Sequence, residues 1–357
     1  MNVPFLDLSR NVSALRAELD AAAQRTLDEA QFVLGSAVEQ FEHAWADTCG
    51  RAHAVAVASG TDAIAISLRA TGIGAGHEVV TAANTCVPTV AAIEAAGATP
   101  VLADVDPETW TLEPDQLVAA IGPQTRAVVP VHLYGRPADP ALLEVAREHG
   151  LGVVEDAAQA HDGPLLGGSA AAFSFYPTKN LGALGDGGAL VTDDSALAER
   201  ARRLRVYGEG ERYRSDERGV NSRLDTLQAA FLLTKLPFLE SWNARRRELA
   251  GRYLDALAGT ALGLPADAPG HVWHLFVLRV SDRGAFRAAL AEQGVQTAVH
   301  YARAVHQHPA YRHLDRDGGF PVAEALGREV VSLPLYPELT DEEAGAVLDA
   351  VVAFGSA

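Results

Sequence analysis

Short apolar runs alternate with longer helix-period segments between residue 52 and about residue 193 of the chain. Alternation of this kind is typical of a mainly parallel α/β sheet that is covered by helices on both faces. Sheets of this type bind ligands at the carboxyl ends of their strands. The pattern predicts helices such as residues 61–69 and 140–149, and seven strands at residues 53–57, 79–81, 99–103, 127–131, 152–155, 172–176 and 189–192.

A long helical segment follows the alternating region, and the pattern changes after residue 257. Residues 225–257 are predicted to form one or two long helices with a break near Pro237, because proline interrupts a helix. Beyond them we predict a small α+β domain, with strands at 274–280 and 295–300 and helices at 282–293 and 341–354. The predicted division is a large α/β domain at residues 1–240 and a small C-terminal domain at residues 241–357.

Lysine is unusually rare in this chain. Of its 29 lysines and arginines, 27 are arginines, and only Lys179 and Lys235 are lysines. Arginine replaces lysine for charge, but its guanidinium is always protonated and does not form a Schiff base. A retained lysine therefore reflects either chemistry or chance. Both interpretations stay open for Lys179, whereas Lys235 is interpreted as chance.

The bulk properties exclude several functional classes. A net charge of −17 argues against a nucleic-acid partner, because the phosphate backbone is also negative. No apolar run reaches the roughly 18 residues that a membrane-spanning helix needs, and the N-terminus lacks the plan of a signal peptide. We therefore expect a cytoplasmic protein without a membrane partner. The two cysteines predict neither a disulfide framework nor a metal cluster.

Two motifs lie at predicted strand ends. In AVASGTDAIAISL, Gly60 and Thr61 begin a helix directly after a strand, and a helix N-terminus is a natural phosphate site. The alternative is an ordinary helix cap. In VVEDAAQAH, Asp156 follows an apolar run, with Gln159 nearby. A buried carboxylate there would pair with a protonated pyridine nitrogen, or else cap a helix.

A third motif, FSFYPTKNLGALGDGG, places Ser174 and Lys179 before a glycine-rich turn. Lysine is the residue type that forms a Schiff base with an aldehyde cofactor. The spacing of 23 positions from Asp156 to Lys179 allows one intervening strand, so both groups are able to face one pocket. A fourth segment, NSRLDTLQAAFLL, begins at Asn221 and by itself indicates only a helix start.

These segments, in this order and at these distances, resemble the DegT/DnrJ/EryC1/StrS family of nucleotide-sugar aminotransferases. The opening PFLDL and the segments QFVLGSAVEQFE, GATPVLADVDP and SLPLYPELTDEE also match, so the resemblance covers nearly the whole chain. It implies the fold-type I architecture of pyridoxal 5'-phosphate enzymes, similar to aspartate aminotransferase. That fold has a large, mainly parallel seven-stranded domain and a smaller C-terminal α+β domain.

The resemblance also implies roles for individual residues. Lys179 would bind the cofactor covalently and transfer protons, and Asp156 would pair with the pyridine nitrogen. Gln159 would contact the side of the cofactor ring that carries the hydroxyl. The phosphate would be bound by Gly60, Thr61 and Ser174, and by Asn221 of the partner subunit in a homodimer with shared active sites. We expect the charged segment 207–223 to lie at that interface, with at least one of its arginines facing the substrate diphosphate.

The resemblance further implies a reaction. A sister branch that dehydrates sugars has histidine in place of the lysine, so Lys179 favours transamination, with L-glutamate as amino donor. The motifs are most similar to enzymes acting on a dTDP-3-keto-6-deoxyhexose. The alternatives are C4 amination of a dTDP- or UDP-4-keto-6-deoxysugar, or a non-catalytic sensor of the same fold. The arginine bias suits a bacterial antibiotic pathway.

The chain departs from the family's pattern at two positions. Many relatives carry an aromatic residue against the cofactor ring where this chain has Cys86, and histidine where it has Tyr336.

Overall fold

The computed structural model describes residues 1–355 of the 357-residue chain. It contains eleven strands: β1 (His53–Val57), β2 (Glu78–Ala82), β3 (Thr99–Ala103), β4 (Thr125–Val129), β5 (Gly152–Asp156), β6 (Ala170–Ser174), β7 (Gly188–Thr192), β8 (Glu209–Glu211), β9 (Arg214–Ser215), β10 (Phe276–Arg279) and β11 (Val330–Leu333). Its thirteen α-helices are α1 (Leu8–Ala14), α2 (Arg16–Glu29), α3 (Ser36–Thr48), α4 (Gly60–Ala70), α5 (Val87–Ala95), α6 (Pro114–Ala120), α7 (Ala141–Glu148), α8 (Ser195–Leu204), α9 (Thr226–Lys235), α10 (Leu239–Leu257), α11 (Arg283–Glu292), α12 (Pro321–Glu329) and α13 (Asp341–Gly355). Within this range no helix is both long and apolar enough to cross a membrane.

The central sheet has the strand order β1-β7-β6-β5-β4-β2-β3. Strand β7 runs antiparallel to both of its neighbours, and the other pairings are parallel. All seven strands predicted from the alternation are present, with ends that shift by at most two residues. The predicted α/β class with a mainly parallel seven-stranded sheet is confirmed.

The sheet is buried on both faces because successive side chains of a strand point in opposite directions. In β1, Val55 and Val57 pack with α4 and α8, whereas Ala54 and Ala56 pack with α3 and α9. In β6, alanines and Phe173 alternate in the same way. Strands that are covered on both faces read as continuous apolar runs, which is why the sequence pattern located them.

The C-terminal part differs from the prediction in its strands. The predicted strand at 295–300 is wrong, because Val295 and Ala298 form only isolated bridges, to Val3 and to Ser332. Instead β10 pairs antiparallel with β11, which was not predicted. The predicted strand at 274–280 begins only at Phe276, since the amide of Leu275 donates to the carbonyl of Tyr134 in the large domain. The helix break near Pro237 is confirmed by a 3-10 turn between α9 and α10.

The two ends of the chain meet in the C-terminal core. Val3 is fully buried there, with residues of α10, α11 and α13. Arg10 of α1 donates two hydrogen bonds of 2.6 and 2.7 Å to the Glu343 carboxylate of α13. Helix α10 contributes Leu239 to the core of the large domain and Leu249 to the C-terminal core. The division at residue 240 stays a prediction, and it falls inside a helix that packs against both cores.

Strand β5 carries two adjacent buried carboxylates, Glu155 and Asp156, whose side chains point to opposite faces of the sheet. Glu155 accepts hydrogen bonds from the amides of Leu166, Gly167 and Gly168 at 2.6–3.1 Å, and its carboxylate lies 3.0 Å from His132 Nε2. Burial alone raises the pKa of Glu155, but its contacts with His132 and with these amides outweigh burial and lower the pKa below its ordinary value. Glu155 therefore acts as an anion that fixes the loop 166–168.

We predict that Glu155→Gln lowers the free energy of unfolding by on the order of 3 kcal/mol at neutral pH, because an amide NH₂ would face backbone donors. Because the pKa of Glu155 is lowered in the folded state, the carboxylate stabilises the fold at pH values above the ordinary carboxyl pKa. That role is lost as the pH falls through the folded-state value. Urea unfolding at neutral pH and near about pH 4 should therefore show the difference between variant and wild type shrinking in acid. An equal difference at both pH values would contradict this role.

Candidate active site

A cavity of about 400 Å³ lies at the carboxyl ends of the sheet strands, where the C-terminal domain covers them. Six of the seven residues predicted for the site line it, and they come from three separate strand ends. Those six residues are Gly60, Thr61, Asp156, Gln159, Ser174 and Lys179. The C-terminal domain adds His274, His300 and Tyr301, and the start of α5 adds Cys86 and Thr89.

The first wall is the N-terminus of α4. Ser59 caps this helix by accepting a hydrogen bond from the Asp62 amide at 3.1 Å, so the cap interpretation is correct for Ser59. A helix N-terminus nevertheless presents unpaired amides and a positive dipole to the cavity. A Cβ atom added at Gly60 would lie 2.6 Å from Ser174 Cβ, and one at Gly188 would lie 2.3 Å from the Ser59 carbonyl. Glycine at these positions therefore lets the start of α4 pack directly against the end of β6 and the start of β7.

Asp156 forms the floor of the cavity. It is only 6% exposed, and its carboxylate accepts hydrogen bonds from Thr89 Oγ1 at 2.7 Å and from the Ala158 amide at 3.1 Å. Among residues 1–355, no cationic side chain lies within ion-pair distance of it. A buried carboxylate without a cationic neighbour is expensive unless a ligand supplies the positive charge.

Lys179 reaches the cavity from the turn after β6. Its amine makes no hydrogen bond to any residue of the described chain. Burial lowers the pKa of this amine, and the negative charge of Asp156 only partly opposes the effect. A lowered pKa increases the neutral, nucleophilic fraction of a lysine at neutral pH.

The three residues that follow Lys179 are each held by a buried side chain from elsewhere in the fold. Asn180 donates to Asn243 Oδ1 at 2.8 Å and lies 3.0 Å from His274 Nδ1. The Leu181 amide donates to His161 Nδ1 at 3.0 Å, and Lys235 Nζ donates to the Gly182 carbonyl at 2.9 Å. Lys235 is thus not a chance lysine, because it fixes the turn that carries Lys179.

Gln159 and Tyr301 form the wall opposite Lys179. The Gln159 side chain accepts from the Tyr134 amide at 2.6 Å and donates to the Tyr301 hydroxyl at 3.0 Å. Burial raises the pKa of Cys86, and an interaction with Tyr301 partly opposes this effect. Sequence reasoning missed His274, His300 and Tyr301, because they lie in the C-terminal domain and only the tertiary fold brings them to the strand ends.

Asn221 is the one predicted site residue that lies outside the cavity. Its side chain is exposed, while its neighbour Ser222 is buried and donates to Asp62 at 2.7 Å. The charged segment 207–223 forms an exposed hairpin of β8 and β9, in which Arg214 lies 3.1 Å from Asp216. Within a single chain, this segment contributes no residue to the cavity wall.

The relationship of this chain to known proteins follows from its match to a family model. The model of the DegT/DnrJ/EryC1/StrS aminotransferase family matches residues 13–352. The chain belongs to this family. The predicted family and the predicted class of enzyme, an aminotransferase, are therefore confirmed.

Three known proteins illustrate the similarity. The dTDP-3-amino-3,4,6-trideoxy-alpha-D-glucose transaminase of Streptomyces venezuelae is 48% identical over 98% of this chain and 95% of its own length. The crystal structure of S. venezuelae DesV in complex with a ketimine intermediate superimposes with a TM-score of 0.97 at 47% identity, covering 100% of this chain and 99% of that one. NtdA from Bacillus subtilis with bound cofactor PMP gives a TM-score of 0.94 at 33% identity, covering 100% of this chain and 86% of NtdA.

Proposed function

We propose that this aminotransferase uses pyridoxal 5'-phosphate to move an amino group from L-glutamate to a keto-deoxysugar that is linked to a nucleotide. The observation that carries the proposal is the pairing of Lys179 and Asp156 in one cavity. Among residues 1–355, the Lys179 amine has no hydrogen-bond partner, and the buried Asp156 carboxylate has no cationic partner. Together they match the aldehyde and the pyridine nitrogen of this cofactor.

The residues of the cavity fit the rest of the cofactor. The N-terminus of α4 suits a phosphate, and Gly60, Thr61 and Ser174 line the cavity at this helix end. When bound, the cofactor supplies an electron sink for the carbon that loses or gains a proton. We assign cofactor binding to Gly60, Thr61, Asp156, Gln159, Ser174 and Lys179, with Asn221 of the partner subunit.

Each catalytic role follows from the environment of the side chain. Lys179 has a lowered pKa and no competing hydrogen bond, so it is able to bind the cofactor covalently and, when released, to carry a proton. Asp156 is held by Thr89 and the Ala158 amide, and its negative charge keeps a neighbouring pyridine nitrogen protonated. Gln159 is fixed at both ends by Tyr134 and Tyr301, so it presents a rigid amide to the ring.

For the substrate we propose a dTDP-3-keto-6-deoxyhexose. The support is the S. venezuelae relative, whose name specifies a dTDP sugar that carries its amino group at C3. Amination at C4 of a dTDP- or UDP-4-keto-6-deoxysugar is the alternative. Purified enzyme incubated with L-glutamate and a panel of 3-keto and 4-keto nucleotide sugars, followed by mass spectrometry, tests the choice. Amination of the C4 substrates alone would overturn the proposal.

We predict that borohydride reduction of the holoenzyme attaches the cofactor to Lys179, because this amine alone lies in the cavity. Peptide mapping locates the label. Lys235 is the internal control, since its amine is already bonded to the Gly182 carbonyl. Lys179→Ala should abolish both the label and the turnover. A label on Lys235 would remove Lys179 from its assigned role.

We predict that Asp156→Asn slows the half-reaction with L-glutamate by roughly 30- to 5,000-fold, which corresponds to about 2–5 kcal/mol for a lost buried charge contact. A neutral amide does not hold the pyridine nitrogen in its protonated form. Stopped-flow absorbance measures the rate, and urea unfolding measures the stability. Glu155→Gln is the matched control, because it should reduce stability and leave the half-reaction rate of the folded enzyme close to wild type. Normal rates in Asp156→Asn would make Asp156 a structural residue only.

We predict that the active sites are shared between the subunits of a homodimer. If Asn221 completes the phosphate site of the partner, mixing Lys179→Ala with Asn221→Ala dimers regenerates one intact site in each mixed dimer, and activity rises above both parents. Subunit exchange is confirmed separately with a mass-tagged chain. If Asn221→Ala is impaired and exchange restores no activity, Asn221 acts within its own subunit.

A further inference from the structure

His274 lies at the end of a buried chain of hydrogen bonds that begins at a backbone carbonyl. Asn243 donates through Nδ2 to the carbonyl of His161 at 2.9 Å. Asn180 donates through Nδ2 to Asn243 Oδ1 at 2.8 Å and to the carbonyl of Val272 at 3.1 Å. His274 Nδ1 lies 3.0 Å from Asn180 Oδ1. Asn180, Asn243 and His274 are all less than one-tenth exposed.

The two carbonyls fix the direction of every bond in this chain. A carbonyl only accepts, so the Asn243 atom facing His161 must be the amide nitrogen, and its oxygen must face Asn180. The nitrogen of Asn180 therefore faces Asn243 and Val272, and its oxygen faces His274. An oxygen without a proton requires a donor, so Nδ1 of His274 carries the hydrogen.

The other ring nitrogen, Nε2, is then a bare acceptor when His274 is neutral. Burial lowers the pKa of His274 well below its ordinary value, and the positive charges of Lys179 and Arg246 and the nearby rings of His300 and His161 add to the effect. No residue in the range 1–355 forms a hydrogen bond with Nε2, and the ring lines the same cavity as Lys179.

We propose that Nε2 of His274 accepts a hydrogen bond from the Lys179 amine in the holoenzyme after the amino donor has released this amine from the cofactor, so that His274 holds the free lysine in place. This inference rests on the proposed function. Two observations favour Lys179 over other donors. Asn180, which fixes the ring of His274, is the residue directly after Lys179, and the Lys179 amine has no other partner among the described residues.

Two other acceptors in the cavity are less suitable. Asp156 already accepts from Thr89 and Ala158, and the proposed function assigns its remaining capacity to the pyridine nitrogen. His300 also lines the cavity, but its Nδ1 contacts the Ser332 hydroxyl at 2.7 Å. A hydroxyl both donates and accepts, so it does not fix the tautomer of His300. His300 therefore serves as the control residue.

Two substitutions distinguish the hydrogen-bonding roles of the two ring nitrogens of His274. The amide of His274→Asn keeps a donor near the position of Nδ1 and removes the acceptor at Nε2. The longer side chain of His274→Gln places an oxygen near Nε2 and gives up the Nδ1 contact. His300→Asn removes a second cavity imidazole without touching Asn180.

The chain has only two lysines, so a protein labelled with lysine carrying ¹³C at Cε gives two resonances. The holoenzyme is treated with excess L-glutamate, which frees Lys179 in the proposed reaction, and both resonances are titrated. In His274→Asn we expect the pKa of Lys179 to fall by about one unit, because a hydrogen bond that favours the ammonium form is lost. His274→Gln should restore a value close to wild type, and His300→Asn should leave it unchanged. The Lys235 resonance should not move in any variant.

An unchanged Lys179 titration in His274→Asn would overturn the inference, as would an equal fall in His300→Asn. A raised KM for the nucleotide sugar in His274→Asn, with an unchanged Lys179 titration, would assign Nε2 to a substrate hydroxyl instead. The proposed function fails in a different way. In that case L-glutamate produces no change in the wild-type Lys179 resonance, and borohydride labels no lysine.

Discussion

The position of Lys179 depends on buried hydrogen bonds to the three residues that follow it. A lysine side chain has four flexible carbon–carbon bonds, so its amine is placed only as well as its backbone is fixed. Here the backbone of the turn is held by His161 at Leu181 and by Lys235 at Gly182, and the Asn180 side chain joins the same network. These partners come from the end of β5, from α9 and α10, and from the C-terminal domain. Both domains therefore stabilise the turn that carries Lys179.

The same network connects the C-terminal domain to the chemistry. His274 precedes β10 and is bonded to Asn180, while the Tyr134 hydroxyl of the large domain donates to the carbonyl of His300. Gln159 joins Tyr134 to Tyr301 across the cavity. A shift of the C-terminal domain would therefore disturb both the turn that carries Lys179 and the hydrogen bonds of the Gln159 side chain. The geometry of Lys179 therefore depends on the position of the C-terminal domain.

The sequence predicted the large domain better than the small one for a physical reason. Strands that are buried on both faces, such as β1 and β6, leave continuous apolar runs, and their carboxyl ends placed six of the seven expected residues in one cavity. Strand β11 was missed and residues 295–300 were wrongly predicted as a strand, because in short two-stranded pairs the tertiary partner decides which segment is extended. His274 carries no local signal either. Its role depends on Asn180, which lies 94 residues earlier in the chain. Asn180 is in turn held by Asn243, 63 residues further along.

The presence of lysine in place of arginine has an explanation at both positions 179 and 235. A buried arginine brings a planar group with five donors, and Nη1 of Arg246 donates to the carbonyls of Trp273, His274 and Leu335, while its Nε has no partner among residues 1–355. Lys235 is also buried, with 4% of its surface exposed, but it has a single carbonyl to bond, that of Gly182. A guanidinium there would bring five donors to this one acceptor, whereas an ammonium brings three. In the proposed function, Lys179 is retained because a guanidinium is not a nucleophile. The two lysines of an arginine-rich chain therefore meet at one turn, which carries Lys179 and is held in place by Lys235.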